Sequence, residues 1–423
     1  MSCAPSPSFM SNSPQGLNPR LRSVEAFPIQ VEGKHLTCLR DPLGLAEQPI
    51  FLNGPQAFLV SLMDGSNSLR DIQARFFRQT SELLTTEALE NLVKQIDDHH
   101  YLDSSSFQIY YDSLVQEFRC ARTRPARHAG TAYAGNEHEL RAQIDGFFAN
   151  AGGPGSAAEV LSPRLLRGLV APHIDFHRGG QSYALAYKAL AEHSGLDRFI
   201  IFGTCHNPMG RRFALTEKDY ETPLGAAAAD REFIRSVAQK LPWDPFEDEF
   251  AHRGEHSIEF QAVCLRYVLG KGRQFTIVPI LVGSFHDILV TGRAAAEDAE
   301  IAVMVSAIRD TMAELPGRYC IIAGADLAHV GLNFGDAAGP SEASLREVAR
   351  ADREFLKFVE QGAAEKTFRF IAAERDRRRV CGYPPIYMTL RCLENPQGEL
   401  LNYRQWADLE AGSSVSFAAL AIF

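Results

Sequence analysis

Two different patterns of apolar and polar positions divide the 423 residues. Between Arg20 and about Phe107, apolar positions recur at helical spacing in short runs separated by polar breaks. A strand-like opening, Val24 to Val31, comes first. Asn53 then stands before a run whose Phe58, Leu59, Leu62 and Met63 share a face, and Asp64-Gly65 supplies a stop. Ser68-Leu69-Arg70-Asp71 opens a second amphipathic segment with Ile72, Phe76 and Phe77. Thr85-Thr86-Glu87 opens a third with Leu89, Leu92, Val93 and Ile96, and Tyr101-Leu102-Asp103 reads as a return strand. From Arg167 onward, β-type apolar runs at 168–171, 199–203, 275–282 and 319–325 alternate with helical patterns at 182–192, 230–240, 256–269 and 294–314. Continuous apolar strands between helices predict an α/β domain, a layered central sheet flanked by helices.

The chain therefore divides into a Ser- and Pro-rich lead-in over residues 1–19, expected to be disordered, and a small α+β domain over 20–107. A link over 108–126 follows, with a basic patch around it (Arg119, Arg122, Arg124, Arg127), and then the large α/β domain over 127–423. Three short helices flanked by strand pieces make the small domain resemble the winged-helix domains typified by PqqD, which hold the leader peptide of a ribosomal precursor by adding it as a strand. That resemblance implies a peptide partner. A generic docking or dimerisation module is the alternative.

Composition narrows the function. With 45% hydrophobic and 22% charged residues the chain reads as an ordinary globular protein. A net charge of -9 and the mixed signs on the second and third helical patterns argue against nucleic acid. No apolar stretch reaches the roughly 20 residues of a membrane-spanning helix, and no secretory signal precedes the first domain, so a cytoplasmic protein without a membrane partner is expected. The eight cysteines form no C-x-x-C pair, so most read as reduced, buried thiols. A Gly-x-Ser-x-Gly elbow and a nucleotide-binding glycine loop are both missing.

Candidate chemistry collects where the apolar strands stop, the usual ligand edge of an α/β sheet. The strand at 168–171 ends in Pro172-His173-Ile174-Asp175-Phe176-His177, that at 199–202 in Gly203-Thr204-Cys205-His206, and that at 320–323 in Gly324-Ala325-Asp326-Leu327-Ala328-His329. His173 and His206, from different strands, are suited to sharing one transition-metal ion. Cys381, between Val380 and Gly382 and ahead of Pro384-Pro385, is the best third donor, whereas Cys264 and Cys320 lie in core patterns. Glu255 and Glu259, four apart, read on spacing alone as acids of a solvated helix start.

The phrases His128-Ala129-Gly130 with Tyr133, Ala171-Pro172-His173, Gly203-Thr204-Cys205-His206, Glu255-His256-Ser257-Ile258-Glu259, Asp326-Leu327-Ala328-His329, Cys381-Gly382 and Ser413-Ser414-Val415-Ser416-Phe417 follow, in order, the pattern of the Memo family. The region from about Arg127 to the C-terminus resembles that family, whose prokaryotic members form the B component of the AmmeMemoRadiSam system. The resemblance implies a fold like that of class III extradiol dioxygenases, with a metal pocket at the strand ends. It implies His173, His206 and Cys381 as metal ligands, with Fe(II) first and copper second, and places acid/base roles on Asp326 and His329. His128, Tyr133, Asp175, His177, His256 and Glu259 are assigned to the pocket or its support. AMMECR-type and radical SAM proteins are the implied partners. The expected function is a metal-dependent redox enzyme; the alternative is an interaction protein that holds metal or ligand without turnover. Where many members read Pro-His-Ala-Gly-Tyr, this chain has Pro172-His173-Ile174-Asp175-Phe176, and a thiolate in place of a carboxylate ligand makes ring cleavage an unsafe transfer.

Overall fold

The structure, a computed structural model, describes residues 18–46, 48–150, 152–155, 164–193 and 195–423. The lead-in falls, up to residue 17, outside the described residues. The chain separates into two compact units that meet in sequence at Cys120 and Ala121.

The first unit is a small α+β body. Strands β1 (Glu25–Val31) and β2 (Lys34–Arg40) pair antiparallel across Glu32-Gly33, both at positive φ as a tight hairpin requires, and β3 (Ile50–Leu52) joins β2. Helix α1 (Gly54–Ser61) starts at Asn53 and α2 (Leu69–Thr80) at Ser68, each with a reciprocal capping box; α3 (Thr86–Asp98) starts at Thr85. Their apolar faces close on Leu39, Leu52, Leu59, Ile72, Leu89 and Ile96. The return strand reduces to one bridge, Leu21 with Leu102. Helix α4 (Ser105–Cys120) runs through most of the stretch read as a link.

In the second unit, β4 (Thr123–Arg124) and α5 (Glu137–Ala149) precede β5 (Gly168–Ala171), α6 (Phe176–Ala191) and β6 (Arg198–Thr204). Short strands β7 (Phe213–Leu215), β8 (Asp219–Tyr220) and β9 (Ala228–Ala229) lead to α7 (Arg231–Lys240) and α8 (Glu259–Leu269). Next come β10 (Thr276–Val282), α9 (His286–Thr291), α10 (Ala299–Glu314), β11 (Tyr319–Gly324) and β12 (Asp326–Gly331). Helices α11 (Glu342–Glu360), α12 (Ala364–Ala373) and α13 (Tyr383–Cys392) precede a closing hairpin, β13 (Gly398–Asp408) and β14 (Ser413–Ile422).

The central sheet runs β12-β14-β5-β11-β6-β10-β7, with β13 on β14 and β9 on β10. The middle four strands are parallel, while β14, β12 and β7 run antiparallel to their neighbours. Both faces are buried, which is why the strands read as continuous apolar runs. Phe199, Ile201, Ile277 and Ile322 pack with α5, α6 and α8; Ile200, Phe202, Ile280 and Ile321 pack with α7, α10, α11 and α13. Helix α6 begins six residues earlier than its apolar pattern because Asp175 caps it, accepting from the Arg178 N–H. Arg124, one of the four arginines of the basic patch, is fully buried.

Candidate metal centre

The parallel strands that reach the site carry a small residue at or next to their ends, Ala171 on β5, Gly203 on β6 and Gly324 on β11. A Cβ on Gly203 would come within 2.5 Å of Ile258 and Ser257, and one on Gly324 within 2.5 Å of the Ser257 carbonyl. The segment before α8 therefore lies tight across the ends of β6 and β11. Ser257 Oγ donates to the Thr204 carbonyl at 2.7 Å, and Gln261 Nε2 donates to the Pro172 carbonyl at 2.9 Å, which fixes the ends of β5 and β6 relative to α8.

Three imidazoles converge there. His173, His206 and His256 each offer a ring nitrogen within 4.8 Å of the other two, so the group could bind a metal ion. The His206 and His256 rings stack at 5.0 Å, and His173 stands edge-on to both. In every case Nδ1 is engaged: His173 with the Gly324 carbonyl at 2.9 Å, His206 and His256 with Glu255 at 3.1 Å. That leaves Nε2 as the ligand atom on each ring, the arrangement in which an outer partner sets tautomer and orientation. Cys381 Sγ lies 3.3 Å from His173 Nε2 and also within hydrogen-bond reach of His206. The donor set fits a transition metal: imidazole and thiolate suit iron, copper and zinc. Sequence reasoning places Cys381 third and His256 in the wall; the structure adds His256 to the two strand-end histidines and keeps Cys381 beside them.

Electrostatics treat the donors differently. Against the burial that would lower it, Glu255 and the Cys381 thiol hold His206 well above the usual imidazole value. Burial raises the Cys381 thiol, so metal binding would have to displace a proton from each. Burial, with the His206 charge second, drives the His173 pKa down to about 3, so the ring is neutral. Burial also lowers His256. Glu255 is the opposite case. Burial alone would raise its pKa, yet His206 and His256 hold it well below the usual range. It accepts from the backbone N–H groups of His206 and His256, at 2.8 Å each, and from the His206 ring, and lies 3.1 Å from His256 Nδ1. This residue is no solvated helix acid but the buried support of two candidate ligands.

Asp326, 1% exposed, accepts from the His173 N–H at 2.9 Å, and its second oxygen lies 3.7 Å from His173 Nε2. Burial pushes its carboxyl up to about 6, against the pull of His329. His329, three residues along β12 past a bulge, makes ring contacts with the Leu327 and Arg379 carbonyls and an edge contact with Phe334. Burial lowers its pKa.

The remaining candidates form the wall or lie away from it. Glu259 is fully buried and bound by the Arg124 guanidinium, the Tyr133 hydroxyl and the N–H groups of Arg127 and His128, so it anchors the 124–133 segment. The His128 ring contacts His256 and Phe260 edge-on. Tyr133 packs on Phe176 and Phe260. Asp175 caps α6 and pairs with Arg178, and His177 is exposed; neither joins the cluster.

The cluster opens on one side. The His206 side chain is 40% exposed against 2% for His173. A cavity of about 730 Å³ adjoins Cys205 and His206, between residues 207–212 and the turns at 283–287 and 293–300. Arg212 there pairs with Asp287 and Asp298, and Arg211 with Glu300.

Sheet and site together define an α/β protein with a candidate metal centre at the carboxyl edge of its parallel strands. A family model described as Memo-like protein matches residues 124–421, and the chain belongs to the Memo family. It is 26% identical over 404 residues to a MEMO1 family protein of Aquifex aeolicus, covering 95% of this chain and 99% of that one. That alignment is longer than the second unit, so it extends into the first. A MEMO1 family protein of Methanopyrus kandleri is 30% identical over 300 residues, 69% of this chain and 96% of its own length. The protein memo-1 homolog of Caenorhabditis elegans is 25% identical over 319 residues, 71% and 83% respectively. No helix among the described residues is long and apolar enough to cross a membrane.

Proposed function

We propose that the chain is a metal-dependent redox enzyme that uses Fe(II) or copper held by His173, His206 and His256 with Cys381 alongside. The observation that carries this reading is the convergence of three imidazoles, each engaged at Nδ1, with the Cys381 thiol 3.3 Å from His173 Nε2 and His206 lining a polar cavity. Once bound, the ion would supply electron transfer and Lewis acidity. Glu255 orients two of the imidazoles. Asp326, its carboxyl tuned to about 6, takes up or gives a proton at the oxygen facing His173 Nε2, and the nearby His329 is its partner in that exchange. The cavity beside His206 receives the substrate.

The test is oxygen uptake. Protein loaded anaerobically with Fe(II) or Cu(I) and then exposed to air consumes oxygen beyond one equivalent when a reductant or substrate is present, if this reading holds. Stoichiometric binding followed by silence supports a metal-holding protein instead. In the same reading, AMMECR-type and radical SAM proteins are its partners, and the first unit presents a peptide along β1, one of the two edge strands of its sheet. Titrating the full chain with precursor peptides encoded beside its gene checks that part.

A further inference from the structure

The Ser413–Phe417 motif and the turn before Cys381 meet at one buried charge. Asp352, on α11, is fully buried and takes the Arg378 guanidinium on one oxygen. Its other oxygen accepts from the Ser416 hydroxyl at 2.6 Å and the Tyr403 hydroxyl at 2.9 Å. Ser416 Oγ in turn accepts from the Ala328 N–H at 2.9 Å, between Asp326 and His329 on β12. Arg378 also holds Glu374 at 2.7 Å, and its carbonyl accepts the His329 N–H at 2.7 Å. One buried network thus grips both the strand that carries Asp326 and His329 and the turn that delivers Cys381.

That turn is strained. Arg375, Asp376 and Arg379 have φ of 54°, 48° and 51°, a left-handed conformation that side chains other than glycine disfavour and that persists only where the surroundings over-determine it. Arg378 sits among the three with a five-donor planar fork, which fixes a turn in a way that a lysine cannot. Buried ion pairs seldom stabilise a fold better than apolar packing would, and their best use is to select one geometry. Directly after the turn, the Gly382 N–H donates to the Asp326 carbonyl at 3.1 Å and the Thr204 hydroxyl to the Cys381 carbonyl at 3.3 Å.

We propose that Arg378 and Asp352, with Ser416, are the positioning residues of the centre: they hold the 375–379 turn in its left-handed path and so set where the Cys381 thiol stands against His173 and His206. The inference rests on the metal reading for its purpose, but its test does not need a metal.

The test is alkylation of the full metal-free chain by iodoacetamide, followed residue by residue through peptide mass mapping. Cys381 is partly exposed, whereas Cys205, Cys264 and Cys320 are buried and report whether each variant is folded. Asp352→Asn and Arg378→Lys should change the Cys381 alkylation rate by roughly fivefold or more while the buried thiols stay protected, as expected where local opening controls access to a thiol. Ser416→Ala keeps the ion pair and should give a smaller change in the same direction; it serves if Asp352→Asn does not fold. In Co(II)-loaded protein, the sulfur-to-metal absorption band should shift or weaken in the same order. Alkylation within twofold of wild type in every folded variant would overturn the proposal. Failure of all forms, wild type included, to take up Co(II) would sink the metal reading and leave the alkylation result to stand by itself.

Discussion

Glu255 Oε2 accepts from both the backbone N–H and the ring Nδ1 of His206, at 2.8 and 3.1 Å. One carboxylate thereby fixes both the position and the tautomer of a candidate ligand, and its other oxygen accepts the His256 N–H and lies 3.1 Å from that ring's Nδ1. Glu255→Gln keeps the shape but loses the charge and one acceptor. Metal affinity, measured against a competing chelator, should fall about 10- to 100-fold, the usual effect of removing a ligand's outer partner. An unchanged affinity would mean that Glu255 serves only the fold.

Glu259 looks like its twin in the sequence and should behave differently. Its oxygens are taken by Arg124, Tyr133 and two backbone N–H groups, so Glu259→Gln strands a buried guanidinium. A loss of about 3–5 kcal/mol in denaturant unfolding is expected. The folded fraction should bind metal as wild type does.

Gly382→Ala tests the close approach of the Cys381 turn to β12. A Cβ there would lie 2.2 Å from the Asp326 carbonyl oxygen, a backbone atom that cannot swing aside. Overpacking of about 1–3 kcal/mol or more should appear as a lowered unfolding midpoint, together with weakened metal binding. A stable variant with native affinity would show that the turn has slack.

His252 supplies a pH prediction away from the cluster. Buried, it donates from Nε2 to the Ala214 carbonyl at 3.0 Å and accepts from the Tyr220 hydroxyl at Nδ1 at 2.7 Å, and burial lowers its pKa to about 3. Below the unfolded value of about 6.5, the unfolded chain takes up a proton that the folded chain refuses, so stability is lost as pH falls from about 6.5 toward 3, by up to about 1.4 kcal/mol per pH unit. Denaturant titrations at pH 7, 6 and 5 should show a shallower decline in His252→Gln than in wild type. Parallel declines would contradict the assignment.

Much of this was legible in the residues. The four parallel strands are continuous apolar runs because both faces are covered, and His173 and His206 follow two of them directly. The C-terminal hairpin was harder to read. In β14, buried throughout, Ser413 and Ser416 break the apolar pattern because they bond to neighbouring segments. Asp326 to His329 looks like a strand end, yet after the single corner residue Ala325 the chain re-enters the sheet as β12, antiparallel to β14. His256 and Glu255 sit in a turn before α8 and not within its first turn, so helical spacing misassigns their faces; the adjacency of a carboxylate and an imidazole was the available signal. Arg124 reads in sequence as one charge of a basic patch because its partner, Glu259, is 135 residues away.

The second unit should stand alone. The Methanopyrus kandleri relative matches 69% of this chain over 96% of its own length. Residues 121–423, expressed by themselves, should unfold cooperatively and bind metal with the affinity of the full chain. A fragment that aggregates or loses the ion would assign the first unit a part in the centre.

The most direct measurement is anaerobic titration of the reduced full chain with Co(II), followed by its absorption spectrum. About one ion per chain should bind, with ligand-field bands of a nitrogen-rich site and a sulfur charge-transfer band that vanishes in Cys381→Ser, while His173→Ala and His256→Ala each weaken binding at least about tenfold. A spectrum without the sulfur band, or a titration curve that His173→Ala leaves in place, would contradict three imidazoles and one thiol acting on a common ion.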